Sequence, residues 1–215
     1  ELKLSVFDLL TQKKINVVCI GDGMHSEARG EERWKMAEQA YLAGDTQNKL
    51  MEEEMAENLG TMKMVMKLKE NFPENFHFLR GNHDEVKGDF QKYTEHVGES
   101  VMVRNWMAQR FGNDFVERWA AFEESMPLMA RGTGFVASHA APGQELHLQD
   151  IQERDERAYQ VLSWTENRGW KEDDQARQQQ FLAAFQQRFA DACRHGHRDR
   201  RAAGVAEIGK RGGNL

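Results

Sequence analysis

The chain has 215 residues, of which 40% are hydrophobic and 30% are charged, and its formal net charge is -6. This composition is typical of a soluble globular protein, and its acidity gives no general reason to expect nucleic-acid or membrane binding. No apolar run approaches the roughly 20 residues that cross a bilayer. Two cysteines, Cys19 and Cys193, are too few for a disulfide framework. We therefore expect a cytoplasmic protein.

Three short apolar runs predict strands. The first, INVVCIGDGMH (15–25), is continuous and rich in β-branched residues, as in a strand buried on both faces. The second is FHFLRGNHDE (76–85) and the third is GFVASHAAPG (134–143). Each run ends on Gly or Ser followed by polar side chains that can bind a metal. Chemistry is therefore expected where these strands end.

Helical patterns fill the intervals between and after these runs. We expect helices over 31–43 and 51–71, a helical pair over 101–124 that breaks near FGND, and a further helix over 171–193. The methionines of 51–71 are interpreted as core packing. Strands that alternate with helices indicate an α/β architecture, in which ligands bind beyond the carboxyl ends of the strands. We expect one domain over 1–215 with a helical elaboration around 101–125.

The polar side chains at the expected strand ends and in two further loops share one chemistry, that of imidazole, carboxylate and amide ligands without thiolate. They are Asp22, His25, Asp45, Asn82, His83, Asp84, His139, His195 and His197. Such ligands suit borderline-to-hard divalent ions such as Mn, Fe or Zn. They are too many for one tetrahedral ion, so two neighbouring ions that share a carboxylate are expected.

These motifs, in this order, resemble those of the calcineurin-like metallophosphoesterases, and among them the serine/threonine phosphoprotein phosphatases of bacterial type. RGNHDE is nearly the whole of that family's central motif, and GDGMH is similar to its Gly-Asp-x-His element. GDTQNK stands where Gly-Asp-x-x-Asp-Arg is expected, and SHAAPG, WTENRG and HGHR are similar to later segments. The resemblance spans roughly 15–211. It implies a β-sandwich flanked by helices, with the metal site at the C-terminal ends of strands.

The resemblance also implies the ligands of two divalent metal ions. Asp22 and His25 would hold the first ion, and Asp45 would bridge both ions. The second ion would be held by Asn82, His139 and a late histidine, which is His197, with His195 as an additional ligand or a substrate contact.

Roles in catalysis follow from the same resemblance. His83 would protonate the leaving oxygen, with Asp84 or Glu85 as its orienting partner. Arg80 and Arg168 would bind the phosphate oxygens, because a guanidinium offers two parallel N–H donors.

The chain departs from the family pattern in three places. Two residues separate Asp22 from His25, where the family has one. Asn48 and Lys49 replace an Asp-Arg pair, which removes a supporting carboxylate and a phosphate-binding arginine. HGHR follows a helical pattern directly, without a preceding strand-like run.

The resulting hypothesis is a metallophosphatase that hydrolyses phosphomonoesters, above all phosphoserine or phosphothreonine on proteins. A metal-bound hydroxide would attack phosphorus, and the substrate would be a phosphorylated protein or a small phosphoester. Two alternatives remain: a nucleotide or dinucleotide polyphosphate hydrolase, and a degenerate relative that binds a phosphorylated partner without turnover.

Overall fold

A computed structural model describes most of the chain as a mixed α/β protein with small sheets. The residues it describes are 4–132, 135–142, 146–164, 179–180, 183–187 and 205–208. The chain divides into two compact units, which interleave along the sequence. The sheet unit comprises Glu1–Gly21, Leu68–Gly81 and Met126–Leu215, and the helical unit comprises Asp22–Lys67 and Asn82–Ser125. In the described part of the chain, no helix combines the length and the apolarity needed to cross a bilayer.

The described residues of the sheet unit form two sheets. Strands β1 (Val17–Cys19) and β2 (Phe76–Phe78) pair in parallel, with Val18 opposite His77. In the second sheet, β3 (Met129–Gly132) lies between β4 (Phe135–Ser138), which runs antiparallel to it, and β5 (Val205–Ile208), which runs parallel. The residues that follow β1 and β2 therefore leave the sheet at the same edge.

Alternation along β3 gives the sheet unit two apolar clusters. Met129 packs in a cluster with residues of α6 (Leu148–Glu153) and α7 (Glu156–Ser163), including the fully buried Tyr159 and Leu162. The next residue, Ala130, packs in the other cluster, with Leu79, Ala206 and Val18. Successive strand side chains point to opposite faces, so both faces of β3 are covered. A short N-terminal helix, α1 (Val6–Thr11), is capped by Ser5.

The helical unit contains α2 (Glu31–Leu42), most of α3 (Lys49–Asn71), α4 (Glu99–Phe111) and α5 (Asn113–Ser125). The expected helices over 31–43 and 51–71 and the pair over 101–124 are thus confirmed. Met51, Met55 and Met62 are fully buried, which confirms core packing for these three methionines of α3, whereas Met64 and Met66 are exposed.

Several elements differ from expectation. β1 is only half-buried and ends at Cys19, because the chain turns away at Gly21 and Asp22, which both have positive φ. Neither β3 nor β5 is apparent from the apolar runs of the sequence. Most of the helix expected over 171–193 lies outside the described residues. The single domain expected over 1–215 stays a prediction.

A close approach of two backbones fixes the turn after β1. Gly21 has a φ of 100°, and a Cβ at this position would lie 2.4 Å from the backbone nitrogen of Gly81, which follows β2. Only glycine combines this φ with this approach. The turns after the two parallel strands are therefore in direct contact.

Gly21→Ala tests this contact. We expect it to lower the free energy of unfolding by more than the roughly 1–2 kcal/mol that a left-handed backbone costs an L-residue. Gly44→Ala is the matched control, because Gly44 has a φ of 94° but a Cβ there would meet no atom within 4 Å. Urea denaturation of both variants provides the measurement. Equal losses would mean that the contact with Gly81 contributes nothing.

Candidate functional site

One buried carboxylate holds the loop that follows β1. Asp84 is fully buried, and its two oxygens accept hydrogen bonds from the backbone N–H groups of Asp22 (2.9 Å) and Gly23 (3.0 Å). Asp22 has a φ of 63°, and its Oδ1 accepts the backbone N–H of His83 at 3.2 Å. Aspartate is among the few residues that tolerate this backbone conformation. The two expected strand-end motifs, at 22–25 and 82–84, are therefore joined by reciprocal hydrogen bonds.

A second buried carboxylate holds the same loop from α3. Glu54 accepts the backbone N–H of Ser26 at 2.9 Å and the Ser26 hydroxyl at 2.6 Å. Arg33 supplies a charge-assisted hydrogen bond to Glu54 at 2.8 Å. Asn58 donates to the carbonyl of Met24 at 3.0 Å. The backbone on both sides of His25 is thereby fixed.

His25 lies between aromatic rings. Its imidazole stacks on Trp34 at 4.8 Å and on His83 at 4.5 Å between ring centroids, and only 8% of the residue is exposed. Within the described part of the chain, neither ring nitrogen has a hydrogen-bond partner. Burial, reinforced by His83 and Lys92, lowers the pKa of His25 to about 3 against the opposing effect of Glu27. His25 is therefore neutral at pH 7, which is the form that binds metals.

His83 contacts a carboxylate that lies outside the sequence motifs. Its Nε2 lies 2.8 Å from Oε1 of Glu27 and 3.9 Å from Oδ2 of Asp22. Phe90 packs edge-on against the ring at 4.0 Å, and the side chain is only 3% exposed. A general acid must touch the leaving group, so this burial gives no direct support to the acid role expected for His83. That role stays a prediction.

Glu27 is itself held by two donors. Its Oε2 accepts hydrogen bonds from the ammonium of Lys92 and from the hydroxyl of Tyr93, the latter at 2.9 Å. Burial by itself would raise the pKa of Glu27, but these hydrogen bonds and the nearby positive charge lower it below its usual range. Glu27 is therefore an ionised carboxylate at neutral pH. The only sequence signal for it is its position in the loop that also carries His25.

These side chains form a group that could hold a metal. One ligand atom each from His25, Glu27 and His83 lies within 4.8 Å of the others, and the described residues contain no second group of this kind. The ring planes of His25 and His83 are 21° apart in a stack. An ion binds in the plane of an imidazole, so joint coordination requires one ring to turn.

Other expected site residues of the helical unit have different surroundings. Asp45 is exposed in the loop between α2 and α3. Asn48 caps α3: its Oδ1 accepts the N–H of Met51 at 3.0 Å, and its amide donates to the carbonyl of Asp45 at 2.9 Å. Asn48 thus has a local structural role. Asn82 is half-buried beside His83.

Two expected site residues lie in the described part of the sheet unit. His139 follows β4, and its Nδ1 lies 2.6 Å from the carbonyl oxygen of Ile20, which follows β1. Because a carbonyl only accepts, Nδ1 donates this hydrogen bond. The guanidinium of Arg80 stacks on Tyr159 at 3.9 Å. Arg168, His195 and His197 lie outside the described residues.

Comparison of the chain with protein-family models, with curated proteins and with solved structures finds no match.

Asp84→Asn tests the junction between the two motifs. The amide keeps one acceptor oxygen but places an NH2 group against the second of the two backbone N–H groups, so we expect a loss of about 1–3 kcal/mol in the free energy of unfolding. Asp89→Asn, at an exposed position of the same segment, should change it by less than about 0.5 kcal/mol. Chemical denaturation of metal-free protein is the measurement. Indistinguishable midpoints would show that the Asp84 hydrogen bonds do not stabilise the fold.

A pH titration of the stability of metal-free protein tests the burial of His25. Its pKa is about 3 in the folded protein and 6.5 in the reference state, so between these values the unfolded chain binds one more proton. This group therefore makes stability fall as pH falls below about 6.5, by about 1.4 kcal/mol per unit. His25→Phe, which keeps a ring against Trp34, should reduce the slope between pH 6 and 5 by nearly that amount. An unchanged slope would contradict a neutral, buried His25.

Proposed function

We propose that the protein is a metal-dependent phosphomonoesterase, most specifically a protein serine/threonine phosphatase. The observation that carries the proposal is the junction at the ends of two adjacent parallel strands. There, Gly21 contacts Gly81, and Asp84 accepts the backbone N–H groups of residues 22 and 23. Carboxylate, amide and imidazole side chains are concentrated on the loops so joined, which is where α/β sheets bind ligands.

The donor set fits divalent metal ions. Among the described residues the ring nitrogens of His25 have no hydrogen-bond partner, which is a cost to the fold that a bound ion would offset. The His139–Ile20 hydrogen bond is the kind of support that orients a ligating imidazole. Two ions of Mn, Fe or Zn, when bound, would supply an activated water and charge stabilisation on phosphate. The proposed ligands of these ions are Asp22, His25, Asp45, Asn82, His139 and His197, with His195 as an additional ligand.

Chain residues would position the substrate. The guanidinium of Arg80, which stacks on Tyr159, is proposed as one phosphate contact. Asp84, as the acceptor of two loop amides, would keep Asp22 and His83 in fixed relative positions. Arg168 is proposed as a second phosphate contact by the resemblance alone.

The proposed fold is a β-sandwich flanked by helices. Support comes from the cluster formed by Val18 of β1 with Ala130 of β3 and Ala206 of β5, because it brings side chains of both small sheets together. The α6–α7 cluster on the other face of β3 supports the flanking helices.

The degenerate, non-catalytic alternative has one observation in its favour. Asn48 stands where the family has an aspartate, and its side chain is engaged with the backbone at the start of α3. A chain that has given this position to helix capping could still bind a phosphorylated partner without hydrolysing it.

Hydrolysis of p-nitrophenyl phosphate and of a phosphoserine peptide, with and without Mn²⁺, tests the proposal. We expect turnover that requires the metal and is lost with chelator. His139→Ala should reduce it by at least the roughly 10 to 100-fold seen when even a ligand's supporting residue is removed. His96→Ala, at an exposed histidine, is the control.

The outcomes separate the two functions. Absence of turnover together with binding of the phosphopeptide would favour the non-catalytic alternative. Turnover that does not depend on a metal would contradict the metal-dependent mechanism of the proposal.

A further inference from the structure

We propose that His25, Glu27 and His83 bind one divalent metal ion of borderline hardness, such as Zn²⁺, with His83 acting as a ligand. This differs from the ligand set implied by the family resemblance, which includes neither Glu27 nor His83. The proposal concerns metal binding alone and does not depend on phosphatase activity.

The first argument is the convergence of donors. The three ligand atoms lie within 4.8 Å of one another, and all three side chains belong to the helical unit. Two imidazoles and a carboxylate are a donor set that zinc and similar ions accept readily. Acidic clusters are common on protein surfaces without a bound metal, whereas a carboxylate beside two imidazoles, one of them buried, is a more specific sign of a metal site.

The second argument is the unsatisfied imidazole of His25. Only 8% of the residue is exposed, and neither ring nitrogen has a hydrogen-bond partner among the described residues. Buried polar atoms in native proteins are nearly always satisfied by protein, water or an ion. An ion beside His25 would satisfy a nitrogen that the described chain leaves bare.

The third argument is the support around Glu27. Lys92 and Tyr93 both donate to Oε2, whereas Oε1 is directed at Nε2 of His83. Such outer hydrogen bonds orient a ligating carboxylate. Asp22 places a second carboxylate 3.9 Å from the same Nε2, so the site attracts a cation despite the positive charge of Lys92.

The fourth argument is the burial of His83. A side chain that is 3% exposed, with His25 stacked on one side and Phe90 packed against it, is poorly placed to touch a substrate. A metal ligand has no such requirement. The ion would bind the lone pair of Nε2 of His83 while Nδ1 carries the ring hydrogen, and the ring of His25 would turn from its stack to share the ion. No hydrogen bond to a described residue has to break for His25 to turn.

Titration of the metal-free wild-type protein with Zn²⁺ alone tests the proposal directly. The imidazole ¹⁵N signals of His25 and His83 should both shift as one equivalent is added, and those of the exposed His96 should not. If either His25 or His83 kept its metal-free signal at one equivalent, the proposed ligand set would be wrong. Because the wild type is used, the result does not depend on a variant that folds.

Competition with a chelator measures the contribution of Glu27. Glu27→Gln should raise the Kd for Zn²⁺ by more than about 10-fold, and Tyr93→Phe should raise it by roughly 10-fold, as supporting residues do. Glu32→Gln is the matched control, since that glutamate is exposed on α2, and its Kd should be unchanged. Equal affinities for the Glu27 and Glu32 variants would overturn the role of Glu27.

The two proposals fail separately. Zinc-induced shifts in a protein without phosphatase activity would refute the proposed function and support this site. Metal-dependent phosphatase activity with a shift at His25 but none at His83 would refute this site and leave the proposed function standing.

Discussion

The arrangement of the candidate site depends on the hydrogen bonds that the carboxylate of Asp84 accepts. A buried charge is costly unless strong donors face it, and Asp84 has the backbone N–H groups of Asp22 and Gly23. These bonds hold Asp22 at a positive φ, and Asp22 in turn accepts the N–H of His83. Two loops that are about sixty positions apart in the sequence are thereby joined at residues 22–23 and 83–84.

The helical unit uses the same device repeatedly. Its other buried carboxylates each accept backbone N–H groups of irregular segments: Glu38 from Glu95, His96 and Val97; Glu54 from Ser26; Glu99 from Lys92 and Tyr93; Glu123 from Val86. Segment 82–98 has no regular helix or strand, so its amides need acceptors from elsewhere. The buried glutamates therefore accept the backbone hydrogen bonds that a neighbouring strand would accept in a sheet. Their role in this unit is structural.

This use of carboxylates changes how the RGNHDE motif is interpreted. Asp84 stands beside His83 in the sequence, yet its observed contacts are with loop amides, while Glu27 supplies the carboxylate nearest to the His83 ring. The metal-binding and phosphatase proposals share this geometry but use it differently. The metal-binding proposal needs His83 as a ligand, whereas the phosphatase proposal needs it to reach a substrate. Whether His83 binds an ion therefore decides if both proposals can hold together.

The sequence by itself determined the local features. Helical periodicity predicted α2, α3 and the α4–α5 pair, because such patterns reflect contacts three and four residues apart. The sequence also predicted the turn after β1, where Gly21 has a φ of 100°. Tertiary structure decided the rest. β5 pairs with β3 although more than seventy positions separate them in the sequence. Glu27 likewise contacts His83 although the two residues are distant in the sequence. A carboxylate in a sequence does not reveal which donors will face it, because that depends on contacts formed only when distant segments pack together.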